Sequence, residues 1–436
     1  MSVSEELLSF ISASPSCYHA VKNITSELDS QGYVCLPEQD EWKLRAGGKY
    51  YVTRNLSSVI AFRVPETAKS NGFMIAAAHS DSPSFKIKET ADADAAGKYT
   101  RINVEKYGGM LCSTWLDRPL SAAGKVTFIR DGKIVSKLVD LDRDLFLIPS
   151  VAIHMNRDAN SNASYNPASD MQPIAGSTAV KGSYKKLLAA ACGCEENDIL
   201  SSDMFLYNRT PGAVWGLDGE FVSSPKLDDL QCAFSAMKGF ISAAPSESIP
   251  VLGVFDNEEV GSTTKQGAAS TFLYDVLTRI NESLGGSGSD YIRAVAKSFM
   301  VSADNAHAVH PNHPEYADPC HRPEMNGGIV IKYNANQRYT TDSVSAAIFT
   351  SICRKSDVPV QYFTNRPDLA GGSTLGNISN TQISLNTVDI GLAQLAMHSS
   401  YETAGVKDTE YLISAFTEFF GAKIEKDADE SYRVEY

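Results

Sequence analysis

The sequence predicts an α/β protein with a mostly parallel sheet flanked by helices and an inserted, β-rich second domain. Three observations predict it. Apolar runs of strand length, such as Phe73–Ala78 and Val251–Phe255, alternate with amphipathic stretches of helical length, as in a sheet covered on both faces. Several of these runs end directly on His, Asp or Glu, where open α/β sheets place their chemistry. From about residue 86 to 222 the alternation gives way to hairpin patterns. The expected division is therefore a catalytic domain over 1–85 and 223–436, with an insert over 86–222. At 436 residues the chain is long enough for both.

The elements follow in order. Ser2 and Glu5 form a capping box before Leu7, Leu8, Phe10 and Ile11. After Ser14-Pro-Ser16, a second helix carries Val21, Ile24 and Leu28 on one face. Strands at Tyr50–Arg54 and Val59–Val64 flank a turn, and Phe73–Ala78 runs straight into His79-Ser-Asp81. In the insert, Arg101–Lys106 and Lys125–Arg130 read as strands, and Asp131-Gly132 marks a hairpin. A run from Phe146 to His154 closes the β-rich part. A polar loop over Asn156–Asp170, a helix around Lys185–Ala191 and a strand near Phe205 follow.

Helix and strand alternation then resumes. A helix over Asp229–Ile241 precedes the strand Val251–Phe255, which breaks into Asp256-Asn-Glu258-Glu259. A helical pattern is expected from about Thr264, and Gly285–Ser289 reads as a flexible loop. Phe299–Ser302 ends on Ala303-Asp304. Helices near Ser343–Arg354 and Leu412–Phe420, a strand at Val360–Phe363, and a loop carrying His398 complete the pattern.

The formal net charge of -13 argues against nucleic acid or an anionic membrane as partner. An acidic substrate would need a local cation. No apolar run approaches the roughly 18 residues of a membrane span, and the N-terminus lacks the signature of a secretory signal. The eight scattered cysteines, with no CxxC pair, read as reduced thiols of a cytoplasmic protein.

His79, Asp81, Asp228, Asp229, Asp256, Glu258, Glu259, Asp304 and His398 carry the chemistry. Each has an ordinary structural alternative: a helix cap for Asp228 or Asp229, a helix start for the Glu pair, a core histidine for His398. Parallel topology lets them converge instead. Histidines and carboxylates without thiolates suit zinc, with manganese or cobalt as options. Their number fits two metals bridged by a carboxylate. HExxH, GxSxG and the phosphate-binding P-loop are absent.

Several motifs make the chain resemble the aspartyl aminopeptidase family of di-zinc exopeptidases over nearly its whole length. They are His79-Ser-Asp81, Leu227-Asp-Asp229, Asp256-Asn-Glu-Glu-Val-Gly-Ser262, Ser302-Ala-Asp304, Lys332-Tyr-Asn-Ala-Asn-Gln-Arg-Tyr339, Gly371-Gly-Ser-Thr374 and Ala396-Met-His398-Ser. The resemblance implies that His79, Asp228 and Asp304 hold one zinc, and that Asp228, Glu259 and His398 hold the other. It makes Glu258 the general base and Asp81 the partner that orients His79. It implies that His154 reaches the active site of a neighbouring subunit in a dimer, built further into a dodecamer. Lys332 would meet the acidic side chain of the substrate's first residue, with Tyr339, Gly372, Ser373 and Thr374 as further substrate contacts. His307, His310 and His313 are given structural roles. Asp229 stands where the family usually has Asn, and Asp368-Leu-Ala-Gly departs from the usual substrate loop. The expected function is release of N-terminal Asp or Glu from peptides. An aminopeptidase for neutral residues and an idle scaffold of the same fold are the alternatives.

Overall fold

The computed structural model describes residues 1–67, 71–427 and 431–436. Its centre is a nine-stranded mixed sheet. Across it the strands run Val34–Cys35, Lys49–Arg54, Ser58–Arg63, Ile249–Phe255, Phe73–His79, Phe299–Ala303, Asn386–Gly391, Ile329–Tyr333 and Val360–Thr364. The four from Ile249–Phe255 to Asn386–Gly391 are parallel to one another, and antiparallel pairings flank them on both sides. Every residue of Phe73–His79 and Ile249–Phe255 is buried. That explains their unbroken apolar runs, because both faces of a central parallel strand are covered.

The side chains alternate between two core layers. Met74, Ala76 and Ala78 pack with the helices Leu227–Ser242 and Val406–Gly421, and Phe73, Ile75 and Ala77 pack with the helix Phe272–Ser283. Gly391 ends its strand for a steric reason. A Cβ there would lie 2.0 Å from the Asp304 carbonyl oxygen, so the glycine lets the chain carrying Asp304 pass close to the sheet.

A second, antiparallel sheet of six strands has the order Lys133–Asp140, Leu120–Arg130, Ile199–Asn208, Ser84–Ala95, Tyr99–Tyr107, Ile174–Ser177. It encloses its own core around Phe85, Trp115, Phe128 and Met204. The Asp131-Gly132 hairpin is present. A five-stranded sheet, which no sequence pattern suggested, joins Ala213–Trp215 and Phe221–Ser224 to Glu402–Gly405, Ala393–Leu395 and Ala306–His307. Its strands are too short to show a period.

Three local expectations need correction. The helix expected from Thr264 begins at Phe272. Ser262 and Gly261 have positive φ, and Thr264 donates its hydroxyl to Asn257, so turns occupy the interval. The segment Phe146–His154 forms only isolated bridges up to Ile148. Pro149 lacks the donor a ladder needs, and Val151–His154 lies exposed in turns. Gly285–Ser289 is not all loop: Ser287 and Asp290 make a capping box that starts the helix Gly288–Ala296, and the cap offsets the poor helix propensity of Gly288.

Candidate active site

The carboxyl ends of the central parallel strands deliver three groups to one rim. His79 is the last residue of its strand. Asp256 to Glu259 follow Phe255, with Asn257 at φ 64 turning the chain so that Glu258 and Glu259 fall in a short 3-10 turn. Asp304 follows Ala303. Asp228 comes from the first turn of the helix Leu227–Ser242, where the backbone at Asp228 and Asp229 is not helical and the peptide between them is cis. Asp229 accepts from His79 N across the site. His398 sits at φ 65 in the turn after Leu395.

These residues converge. Ligand atoms of His79, Asp228, Asp229 and Asp304 lie within 4.8 Å of one another, and so do those of Asp228, Glu259 and His398. Asp228 is common to both groups. One of its oxygens lies 3.4 Å from His79 Nε2 and the other 3.4 Å from His398 Nε2, which is itself 3.4 Å from Glu259. The other ring nitrogen of each histidine faces a backbone carbonyl: Asp81 O for His79, at 3.0 Å, and Gly109 O for His398. That pattern fixes tautomers that leave both Nε2 atoms free as ligands.

The cluster's buried oxygens fit a cation. Asp228 Oδ1, Asp229 Oδ1 and Glu259 Oε1 are buried without a hydrogen-bond partner. Orphaned buried acceptors are costly, and a divalent ion would satisfy them. Imidazoles and carboxylates without a thiolate are a zinc-compatible donor set. The nearby Cys232 thiol is turned to Asn305, at 3.2 Å. The residues present therefore fit zinc.

The charges are tightly interdependent. Burial works to raise Asp228, but His398 and His79 on either side outweigh it and hold it below the usual carboxylate range. Burial opposes protonation of His398, yet Asp228 pushes it up to about 9. Burial, then the Asp304 charge, pushes Glu258 up to about 8, and burial raises Glu259. Burial would lower Lys332, but Asp304, 3.8 Å away, and its other neighbours raise it, so it stays an ammonium.

A pocket of ≈ 270 Å³ opens on this cluster. Its walls include Asp228, Glu258, Asp304, Lys332, Tyr339, Gly372, Ser373, Thr374 and His398. Lys332 donates to the Asn305 carbonyl at 2.9 Å and stands 5.5 Å from the centre of the Tyr339 ring. The pocket lies just below the usual volume range of small-molecule sites.

Asp81 does more than orient His79, and His154 lies outside this chain's own pocket. Asp81 faces the His79 ring with its backbone carbonyl at 3.0 Å and a carboxylate oxygen at 3.5 Å. The same carboxylate accepts from Glu258 N and Glu259 N, both at 3.2 Å, and from the Tyr107 hydroxyl at 2.6 Å. Asp81 therefore fixes the turn that carries the two glutamates. His154 is exposed in a turn closed by Met155 N to Ala152 O, and it is not among the residues lining the pocket. His307 lines the pocket, whereas His310 and His313 line a neighbouring one.

Sequence reasoning missed Glu402. It is 1 % exposed, and its two oxygens accept from His398 N at 2.7 Å and Asp228 N at 2.9 Å. No motif marks it. Also missed was Asn305, which bonds the Leu227 carbonyl, Gln231 and Gln394 behind the cluster.

A family model described as "Aminopeptidase I zinc metalloprotease (M18)" matches residues 10–420. The chain belongs to the M18 aminopeptidase family. It is thus a zinc-type metallo-aminopeptidase, and the aspartyl aminopeptidase resemblance is borne out. It is 44% identical over 423 residues to a "Probable M18 family aminopeptidase 2" of Clostridium acetobutylicum, covering 95% of this chain and 98% of that one. Another protein of that name, from Ectopseudomonas mendocina, is 40% identical over 95% of this chain and 97% of its own length. Among solved structures, the M18 fold here matches Ape4 from a complex with Nbr1, with a TM-score of 0.92 at 38% identity, covering 96% of this chain and 85% of that one. It also matches the mApe1 dodecamer of S. cerevisiae, with a TM-score of 0.84 at 28% identity over 96% of each chain. Among the described residues, no helix is long and apolar enough to cross a membrane.

Proposed function

We propose that this M18 aminopeptidase removes N-terminal Asp or Glu from peptides, using two divalent ions per chain, zinc by preference and manganese or cobalt as alternatives. His79, Asp228 and Asp304 would hold one ion. Asp228, Glu259 and His398 would hold the other. The observation that carries the two-ion reading is Asp228, which presents one oxygen to each histidine at 3.4 Å. When bound, the ions supply Lewis acidity, polarising the scissile carbonyl and making water acidic enough to attack near neutral pH.

The chain's own groups do the rest. Glu258 takes a proton from the attacking water and delivers it to the leaving nitrogen as the C–N bond breaks. The water oxygen stays on the released amino acid. Asp81 holds the Glu258 backbone amide and so the base's position. The Lys332 ammonium, buried in the pocket wall, is the local cation that a chain of net charge -13 needs in order to accept an acidic side chain. Tyr339 and Gly372–Thr374 shape the same wall.

His154 would act on the active site of a second copy, steadying the tetrahedral intermediate there. Its exposure in this chain supports that reading, as does the dodecameric assembly of the S. cerevisiae relative. The division into 1–85 with 223–436, and 86–222 as the dimerising insert, belongs to the same proposal. So does a cytoplasmic location, in keeping with eight free cysteines.

Comparing aspartyl and leucyl substrates in wild type and Lys332→Ala tests the specificity. The aspartyl kcat/KM is expected to fall by roughly 10–100-fold, the scale of a lost charged hydrogen bond, with the leucyl value little changed. An equal loss on both substrates, or a wild type that prefers leucyl substrates, would overturn the acidic preference.

A further inference from the structure

The two histidines of the cluster draw their support from different parts of the molecule. His79 is held from the end of its own strand and the start of the helix Leu227–Ser242: Asp81 O lies on its ring at 3.0 Å and an Asp81 carboxylate oxygen at 3.5 Å, and Asp229 accepts from its backbone N at 3.1 Å. His398 instead leans on the link between two strands of the six-stranded sheet, Tyr99–Tyr107 and Leu120–Arg130. Its ring nitrogen donates to Gly109 O. Its carbonyl accepts from Leu111 N at 3.0 Å. Two residues on, Ser400 N donates to Thr114 Oγ1 at 2.9 Å and the Ser400 hydroxyl to Thr114 O at 2.5 Å.

The same link also presses on Glu259. Gly108 has φ +76, and a Cβ there would lie 3.1 Å from Glu259 Cβ and 3.3 Å from Glu259 O. Tyr107, the last residue of the preceding strand, donates to Asp81 and accepts from Asn257 Nδ2 at 2.9 Å, outside the link itself. The seven residues Gly108–Thr114 therefore touch two of the three groups expected to hold the second ion, Glu259 and His398.

We propose that Gly108–Thr114 is a positioning arm through which the six-stranded sheet sets the geometry of the ion held by Asp228, Glu259 and His398, while the ion held by His79, Asp228 and Asp304 depends on other contacts. The inference rests on the two-ion reading above. It goes further in making the two ions unequal. An ion site whose outer contacts come from a second sheet loses its geometry when that contact loosens, and losses of outer contacts commonly cost roughly 10–100-fold in metal affinity.

The experiment measures zinc and cobalt affinity and stoichiometry by chelator competition, with the cobalt absorption spectrum as a second readout, on the full chain. The wild type is compared with Gly108→Ala and Thr114→Ala. Gly108→Ala forces a strained φ and pushes on Glu259. Thr114→Ala removes one hydroxyl acceptor from a half-buried position, so it keeps the test open if the glycine variant folds poorly. The expected result is selective: one ion weakens by roughly 10–100-fold in Gly108→Ala and about tenfold in Thr114→Ala, the other by less than about threefold, with the metal-free Tm of Thr114→Ala unchanged. Equal weakening of both ions, or no weakening of either, would overturn the arm while leaving two ions in place. A wild type that binds a single ion overturns the two-ion reading itself, and this inference with it.

Discussion

His79 and His398 face the same aspartate, yet they are held in opposite ways. His79 ends a fully buried strand, and its side chain is 1% exposed. Its ring is set by the carbonyl two residues ahead. His398 sits in a turn at positive φ with its side chain 33% exposed, held by Gly109, Leu111 and Glu402. The sheet itself fixes the first ligand. The second is fixed by Glu402 close by and by Gly109 and Leu111, remote in sequence, so part of its support can be altered without touching the central strands.

The strongest way to break the comparison is to remove what both halves share. Asp228→Ala is expected to weaken both ions by more than about 100-fold, beyond the range for outer contacts, and to abolish turnover. Elemental analysis after gel filtration reads it, and a variant that kept two tight ions would end the bridging picture. Next in size is Glu258→Gln, which should keep both ions and lose roughly 100- to 10,000-fold in kcat as a missing general base. Full activity with metals bound would move the base elsewhere.

Acid should sharpen the contrast. Ligation needs His398 neutral and Glu259 ionised, yet in the metal-free chain Asp228 pushes His398 up to about 9 and burial raises Glu259. Protons therefore compete with the ion, and affinity falls as the pH drops below about 9, by about tenfold per unit for each proton displaced. Calorimetry in buffers of different ionisation enthalpy should show proton release on zinc loading at pH 7. No release, with affinity flat between pH 6 and 8, would contradict it. The smallest effect is expected from Glu402→Gln. Glutamine keeps one acceptor oxygen and turns an NH₂ towards the second amide, so one of the contacts to His398 N and Asp228 N is lost. We expect about a tenfold loss at the His398 ion and less at the His79 ion. The reverse order would mean that Glu402 serves Asp228 first.

Legibility followed the same divide. His79, Glu258, Glu259 and Asp304 could be found because each stands directly after a buried apolar strand, where a period-free run breaks into charge. His398 is legible as a ligand in a loop after the last strands, Lys332 only from the family pattern, and the structure brings both to the pocket. Glu402, Tyr107 and Gly109 carried no signal. A buried carboxylate that accepts from two backbone amides looks, in sequence, like any surface glutamate before a strand. The Phe146–His154 run misled for a related reason: apolar residues exposed in turns, such as Val151 and Ile153, mimic a strand when burial is unknown. The five-stranded sheet escaped notice because its strands of two to four residues are defined by partners, not by pattern.

By itself, the sequence determined the central sheet and the identities of the groups at its rim, because apolar periodicity is local and a strand's end is where its side chains meet solvent. The tertiary structure alone decided which oxygen of Asp228 faces which histidine, that Asp81 serves the glutamate turn, and that a link in a different sheet steadies His398. Those relations span more than a hundred residues of chain, and only packing brings such distant backbone amides and carbonyls within hydrogen-bonding reach.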